Sequence, residues 1–267
     1  MPDNGLSSSD EVYMRILLEP LAVCKQYRPK FGHSKGLTLA EFQSLHGTDP
    51  FYTWLGLDSP LLYAAHRAAE GMTSVYRQIG IGCQRLFQQI LIDTLGLTLA
   101  EATWSYQVTK QSGAAQTLSL DSRIVKGAVR SAQHAAVTAW LQDACQTVGV
   151  NSAVSQALHG AVFEVRQGYK SKDSKRQNAD IANAGAAYAD GYLPVVALLS
   201  TQIDDTVAIR YQKARWVILY GTLTGSALTS TYHFSRDVLG YDLAAFFQRH
   251  APTFRREMES VLEGLLT

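Results

Sequence analysis

Ala161-Val162-Phe163-Glu164-Val165-Arg166-Gln167, followed at once by Gly168-Tyr169-Lys170-Ser171-Lys172-Asp173-Ser174-Lys175-Arg176, carries most of what this sequence says about architecture. The apolar, β-branched run reads as a buried strand. Strand side chains alternate with period two, so Glu164 and Arg166 fall on one face. Charged groups on such a strand are costly to desolvate unless they pair or hold a metal, which makes the two a candidate site. Four basic residues, Lys170, Lys172, Lys175 and Arg176, then fall within seven positions. An acidic strand end beside a basic loop points to phosphate chemistry.

Working outward, Trp104 to Thr109 alternates, Gln111 to Gln116 is a turn, and Thr117 to Val125 alternates again, which predicts an antiparallel hairpin. Lys126 to Val148 is Ala-rich and helical, Gly160 to Gln167 is the strand above, and Ser174 to Ala189 is an Ala/Asn-rich helix. Tyr192 to Ser200 is a near-continuous apolar run of the kind buried on both faces, and Trp216 to Tyr220 is a further strand. Thr73 to Leu95 has apolar residues three and four apart and stops at Gly96, so it predicts a long amphipathic helix. Residues 11–27 and 60–80 also have helical spacing, the latter opened by Asp58-Ser59-Pro60, and Leu243 to Leu265 closes the chain as a helix. Helix, strand, strand, inserted helix, strand, helix, strand is an α/β order. It predicts a central mixed β-sheet flanked by helices, behind a helical N-terminal extension.

No long Pro/Gly/Ser tract divides the 267 residues, so the expectation is one domain: extension 1–72, core 73–200, and a strand with helices over 201–267. A net charge of +1 means that any polyanion must be held by a local basic surface. Cys24, Cys83 and Cys145 lie far apart without ligand spacing, against a disulfide framework or a zinc site. The polar N-terminus and the absence of an 18-residue apolar run predict a soluble, cytoplasmic protein with no membrane partner. Neither G-x-S-x-G nor a Walker or Rossmann loop occurs, so acyl transfer and nucleotide hydrolysis are unsupported. The histidines are scattered, and His134, His159 and His233 have no partner at ligand or triad spacing.

That element order, with Asp121 late in the second strand and Glu164-x-Arg166 in the third, resembles the PD-(D/E)xK nuclease superfamily. Tyr76-Arg77-Gln78-Ile79-Gly80, Leu120-Asp121-Ser122-Arg123-Ile124 and Glu164-Val165-Arg166-Gln167-Gly168-Tyr169-Lys170 look like type II restriction endonucleases, the ApaLI-like group. The resemblance covers residues 73–200 and implies a restriction-endonuclease-like fold. It implies Mg²⁺-dependent cleavage of double-stranded DNA at a specific palindromic site by a homodimer. Asp121 and Glu164 would be the metal ligands, joined by the backbone carbonyl of Val165. Arg166 stands where the family has lysine. A guanidinium stays protonated and cannot act as a base, but it can clamp a phosphate bidentately, and Lys170 is the nearest replacement for the lysine.

Lys170, Lys172, Lys175, Arg176, Gln177 and Asn178 are the candidates for DNA contact, with Arg77 on the first long helix. Bland readings stand beside these. Asp121 could be a cap or the ion-pair partner of Arg123, Glu164 and Arg166 a structural pair, and the basic run a solvated loop. Gln84, on the helix where some relatives place a glutamate, is neutral. A structure-directed repair nuclease and a non-catalytic DNA-binding protein are the alternative functions. Everything depends on the two acidic strands being neighbours despite the helix between them.

Overall fold

The computed structural model describes residues 8–109, 113–130, 132–168 and 174–266. Along the chain run α1 (Ser8–Leu18), α2 (Leu39–His46), α3 (Pro50–Trp54), α4 (Pro60–Leu95), α5 (Leu99–Ala102), β1 (Trp104–Thr109), β2 (Ala115–Leu120) and β3 (Ser122–Val125). They are followed by α6 (His134–Thr147), α7 (Ser152–Ala157), β4 (Gly160–Arg166), α8 (Ser174–Ala189), β5 (Tyr192–Leu198), α9 (Asp205–Lys213), β6 (Val217–Leu219), α10 (Thr231–Asp237) and α11 (Leu243–Leu266). The chain is mixed α/β and forms two compact units, Met1–Gly82 with Arg249–Thr267, and Cys83–Gln248. No helix among the described residues is long and apolar enough to cross a membrane.

The first unit is helical. The segment expected as one helix over 11–27 divides, because Pro20 opens a separate 3-10 turn, Glu19–Cys24. The short helix α2 starts on a capping box in which Thr38 accepts from the Glu41 N–H and Glu41 accepts from the Thr38 N–H. That signal lies in polar residues, which apolar periodicity passes over. Leu21, Cys24, Val75, Val261 and Leu265 form one core cluster. Buried Asp10 accepts from Arg249 at 2.8 Å and lies 2.9 Å from His250 Nε2. The segments 60–80 and 73–95, read separately from sequence, are a single helix, α4.

The second unit holds a four-stranded sheet in the order β3-β4-β5-β6 and a separate two-stranded ribbon, β1-β2. β3 is antiparallel to β4, whereas β4, β5 and β6 are parallel, with α8 and α9 as crossovers. Alternate residues of the strands serve two faces. On one, Val162, Val196, Leu198 and Ile218 pack with Ala184 and Ala187 of α8, Val207 and Tyr211 of α9, and Trp104 and Leu120 of the ribbon. On the other, the Phe163 ring lies 5.3 Å from Phe87, 5.6 Å from Phe234 and 6.3 Å from Trp140. Helices thus cover both faces of the mixed sheet. Helices were expected over 201–267, but apolar spacing placed neither α9 nor α10 individually, since each is short and a period needs several turns to register.

The largest departure concerns Thr117 to Val125, expected as one strand. The chain bends at Asp121, so β2 pairs with β1 while β3 pairs with β4, and the segment belongs to two sheets. The β3–β4 register sets Ser122 opposite Phe163 and Val125 opposite Gly160. Gly160 is obligatory there, because a Cβ would fall onto the Ile124 carbonyl. Gly160→Ala is therefore expected to cost about 3 kcal/mol or more in chemical denaturation, at the upper end of overpacking effects. A loss below about 1 kcal/mol would mean that this pairing tolerates displacement.

Helix α5 anchors β3. Arg123 donates through Nε to the Glu101 carbonyl at 3.0 Å and through Nη2 to the Ala100 carbonyl at 2.8 Å, satisfying the open end of the helix. At the other end, Glu101 completes a capping box with Thr98 and receives both Arg130 Nη atoms. The Arg130 hydrogen bonds, followed by those of Thr98, lower the Glu101 carboxyl from its usual 4.5 to about 2. A depressed carboxyl contributes stability above its unfolded pKa and loses it as pH falls through the folded one. The Glu101 side-chain carbon resonance should therefore titrate near pH 2, with the clamp weakening only below about pH 4.5. A midpoint at the ordinary glutamate value would mean that the clamp does not persist in solution.

Candidate active site

The bend at Asp121 and the carboxyl end of β4 come together in the second unit. The Asp121 N–H donates to the Phe163 carbonyl at 2.9 Å, and its carboxylate Oδ2 accepts from the Val165 N–H at 2.7 Å. The two acidic strands are thus neighbours, and Asp121 and Glu164 continue the register one step beyond Ser122 and Phe163. A strand residue sends its N–H and C=O to the same side, so the Val165 carbonyl faces the side on which Asp121 lies. Arg123, the alternative ion-pair partner for Asp121, gives its guanidinium to α5 instead.

Glu164 and Arg166 share the face of Val162 and form an ion pair, with side chains only 8% and 13% exposed. Parallel pairing to β5 holds both in place, Glu164 opposite Val196 and Arg166 opposite Leu198, and the Leu199 N–H donates to the Arg166 carbonyl at 2.9 Å. The strand ends are sealed by hydroxyls. Thr231 Oγ1 donates to the Leu198 carbonyl at 2.7 Å, and Tyr232 Oη donates to the Leu199 carbonyl at 2.7 Å. Burial raises the Tyr232 phenol to about 12, and burial likewise raises those of Tyr106 and Tyr220, so all three stay neutral near pH 7.

Of the expected site residues, Asp121, Glu164, Val165 and Arg166 are brought together. Lys170 and Lys172 lie outside the described residues. Lys175, Arg176, Gln177 and Asn178 belong to the first turns of α8, but their side chains are not among those described. Arg77 is exposed on α4 in the first unit, while the Asp121 bend belongs to the second.

One contributor escaped the sequence reading. Gln88 of α4 donates Nε2 to the carbonyls of Asp121 at 3.2 Å and Ala102 at 3.3 Å, bracing the bend. The available signal was its place one helical turn beyond Gln84, on the same face. Gln88→Leu should cost about 1–3 kcal/mol, two net hydrogen bonds, by chemical denaturation, and an unchanged midpoint would leave the bend held by the strand bonds alone. A second missed contact is Tyr106 Oη donating to Asn183 Oδ1 at 2.6 Å, which ties the ribbon to α8.

The candidate ligands, the carboxylates of Asp121 and Glu164 and the Val165 carbonyl, are all oxygens, the chemistry that Mg²⁺ prefers, with waters completing its shell. Among the described residues, no three His, Cys, Asp or Glu side chains gather as a metal cluster. A cation here would therefore rest on the pair of carboxylates and the backbone, and it would compete with Arg166 for Glu164. No protein-family profile, no curated protein and no solved structure matches this chain.

Proposed function

We propose that this chain is a Mg²⁺-dependent endonuclease of the restriction-endonuclease-like fold, acting on double-stranded DNA at a specific site as a homodimer. The observation that carries the reading is the meeting of Asp121 with the Glu164–Val165 backbone across neighbouring strands, the condition on which the resemblance depended. The element order α4, β1, β2 with β3, β4, α8, β5 also agrees with it. Asp121, Glu164 and the Val165 carbonyl would hold the ion, which when bound supplies charge neutralisation and a more acidic water. Arg166 offers a fork that can turn from Glu164 to a phosphate oxygen pair, and the basic segment from Lys170 to Arg176 follows within a few residues.

A second reading has an observation of its own. The buried Glu164–Arg166 pair suits a purely structural role, in a protein that binds DNA without cutting it. Incubating the purified chain with unmethylated plasmid and Mg²⁺, with a chelator control, separates the two. Discrete metal-dependent fragments are expected. Binding that needs no Mg²⁺ and never cuts would overturn the nuclease reading in favour of the binder.

A further inference from the structure

We propose that the β1–β2 ribbon reads base edges in the major groove of double-stranded DNA through its exposed face, an inference that rests on the nuclease reading above. Across the ribbon Ser105 faces Ser119, Gln107 faces Thr117 and Thr109 faces Ala115, and all six are exposed. The opposite face is held down: Trp104 and Leu120 are buried in the core with Tyr106 packed against them. No third strand joins β1 or β2 among the described residues.

The exposed face is uncharged. From Trp104 to Leu120 there is no Asp or Glu, and the single charged residue is Lys110. Solvated faces ordinarily mix Lys and Glu among their polar residues, so a neutral face rich in hydrogen-bonding groups needs another account. Base edges provide one. Gln bonds bidentately to adenine, Ser and Thr meet either kind of pair, a Thr methyl packs on the thymine methyl, and no carboxylate is present to repel phosphate. The major groove, about 12 Å wide, admits a two-stranded ribbon. β2 also runs directly into Asp121, so one continuous segment would join base reading to the bond being cut.

The test is selection from random duplex DNA by the purified chain, with Ca²⁺ replacing Mg²⁺ to prevent cleavage. The wild-type chain should enrich a defined site. Gln107→Ala and Thr117→Ala should each lose roughly tenfold or more of the preference at one or two base pairs, while keeping affinity for non-specific DNA. Gln116→Ala, exposed on the opposite face, should select as wild type does, and matching thermal unfolding verifies that all three variants are folded. Unchanged preference in both Gln107→Ala and Thr117→Ala, with the wild-type chain still selecting and cutting, overturns this inference alone. Duplex RNA competing as well as DNA also overturns it, because the A-form major groove is too narrow to enter. A wild-type chain that neither selects nor cuts duplex DNA overturns the nuclease reading and this one together.

Discussion

Asp121→Asn is expected to lower the single-turnover rate of DNA cleavage by about 10³-fold or more, equivalent to roughly 4 kcal/mol of transition-state stabilisation, while the fold stays intact. The asparagine amide oxygen can still accept the Val165 N–H, and the backbone bond to Phe163 is untouched. What disappears is the negative charge, which the proposed chemistry needs to hold a hard cation. Asp121→Ala provides the contrast. It removes the acceptor as well, leaving the Val165 N–H without that bond, and should also lose about 1–3 kcal/mol of stability. Wild-type cutting by Asp121→Asn would reduce the carboxylate to a staple between β3 and β4. Measuring both rate and denaturation midpoint for the two variants keeps charge and packing apart.

Arg166→Ala is expected to destabilise the protein by about 3–5 kcal/mol, since it removes the cation that neutralises Glu164 in a nearly water-free setting. Against a typical total of about 5–15 kcal/mol, that is a large share. Replacing both partners, Glu164→Leu with Arg166→Met, should cost much less than the sum of the single changes, because no desolvated charge then remains. A loss below about 1 kcal/mol in Arg166→Ala would mean that water reaches the pair. Kinetics divide the roles further. Under the proposed function Arg166→Ala should cut orders of magnitude more slowly at saturating enzyme, whereas Arg166→Lys keeps the charge, loses the fork and retains part of the rate. An Arg166→Ala variant that cuts at the wild-type single-turnover rate would make the pair structural.

Elements whose burial is written in a local period were legible along the chain. The apolar, β-branched run of Gly160 to Arg166, the continuous run of Tyr192 to Leu198 and the Ala-rich Ser174 to Ala189 each became the expected element, and the three-and-four spacing before Gly96 became the C-terminal part of a longer helix. The sequence also singled out Glu164 and Arg166, because charges in an apolar strand need partners, and Asp121 through the resemblance to the nuclease pattern. The identity of those partners came from packing in the folded chain. A run that alternates from Thr117 to Val125 cannot announce that it changes sheets at Asp121, since β2 and β3 have the same period and differ only in which distant strand accepts their hydrogen bonds. Likewise Gln88 meets the Asp121 carbonyl, and Val165 meets its carboxylate, across separations of 33 and 44 residues. Periodicity records which face of an element is buried, whereas register, pairing and the brace at the bend come from non-local packing that no window along the chain contains.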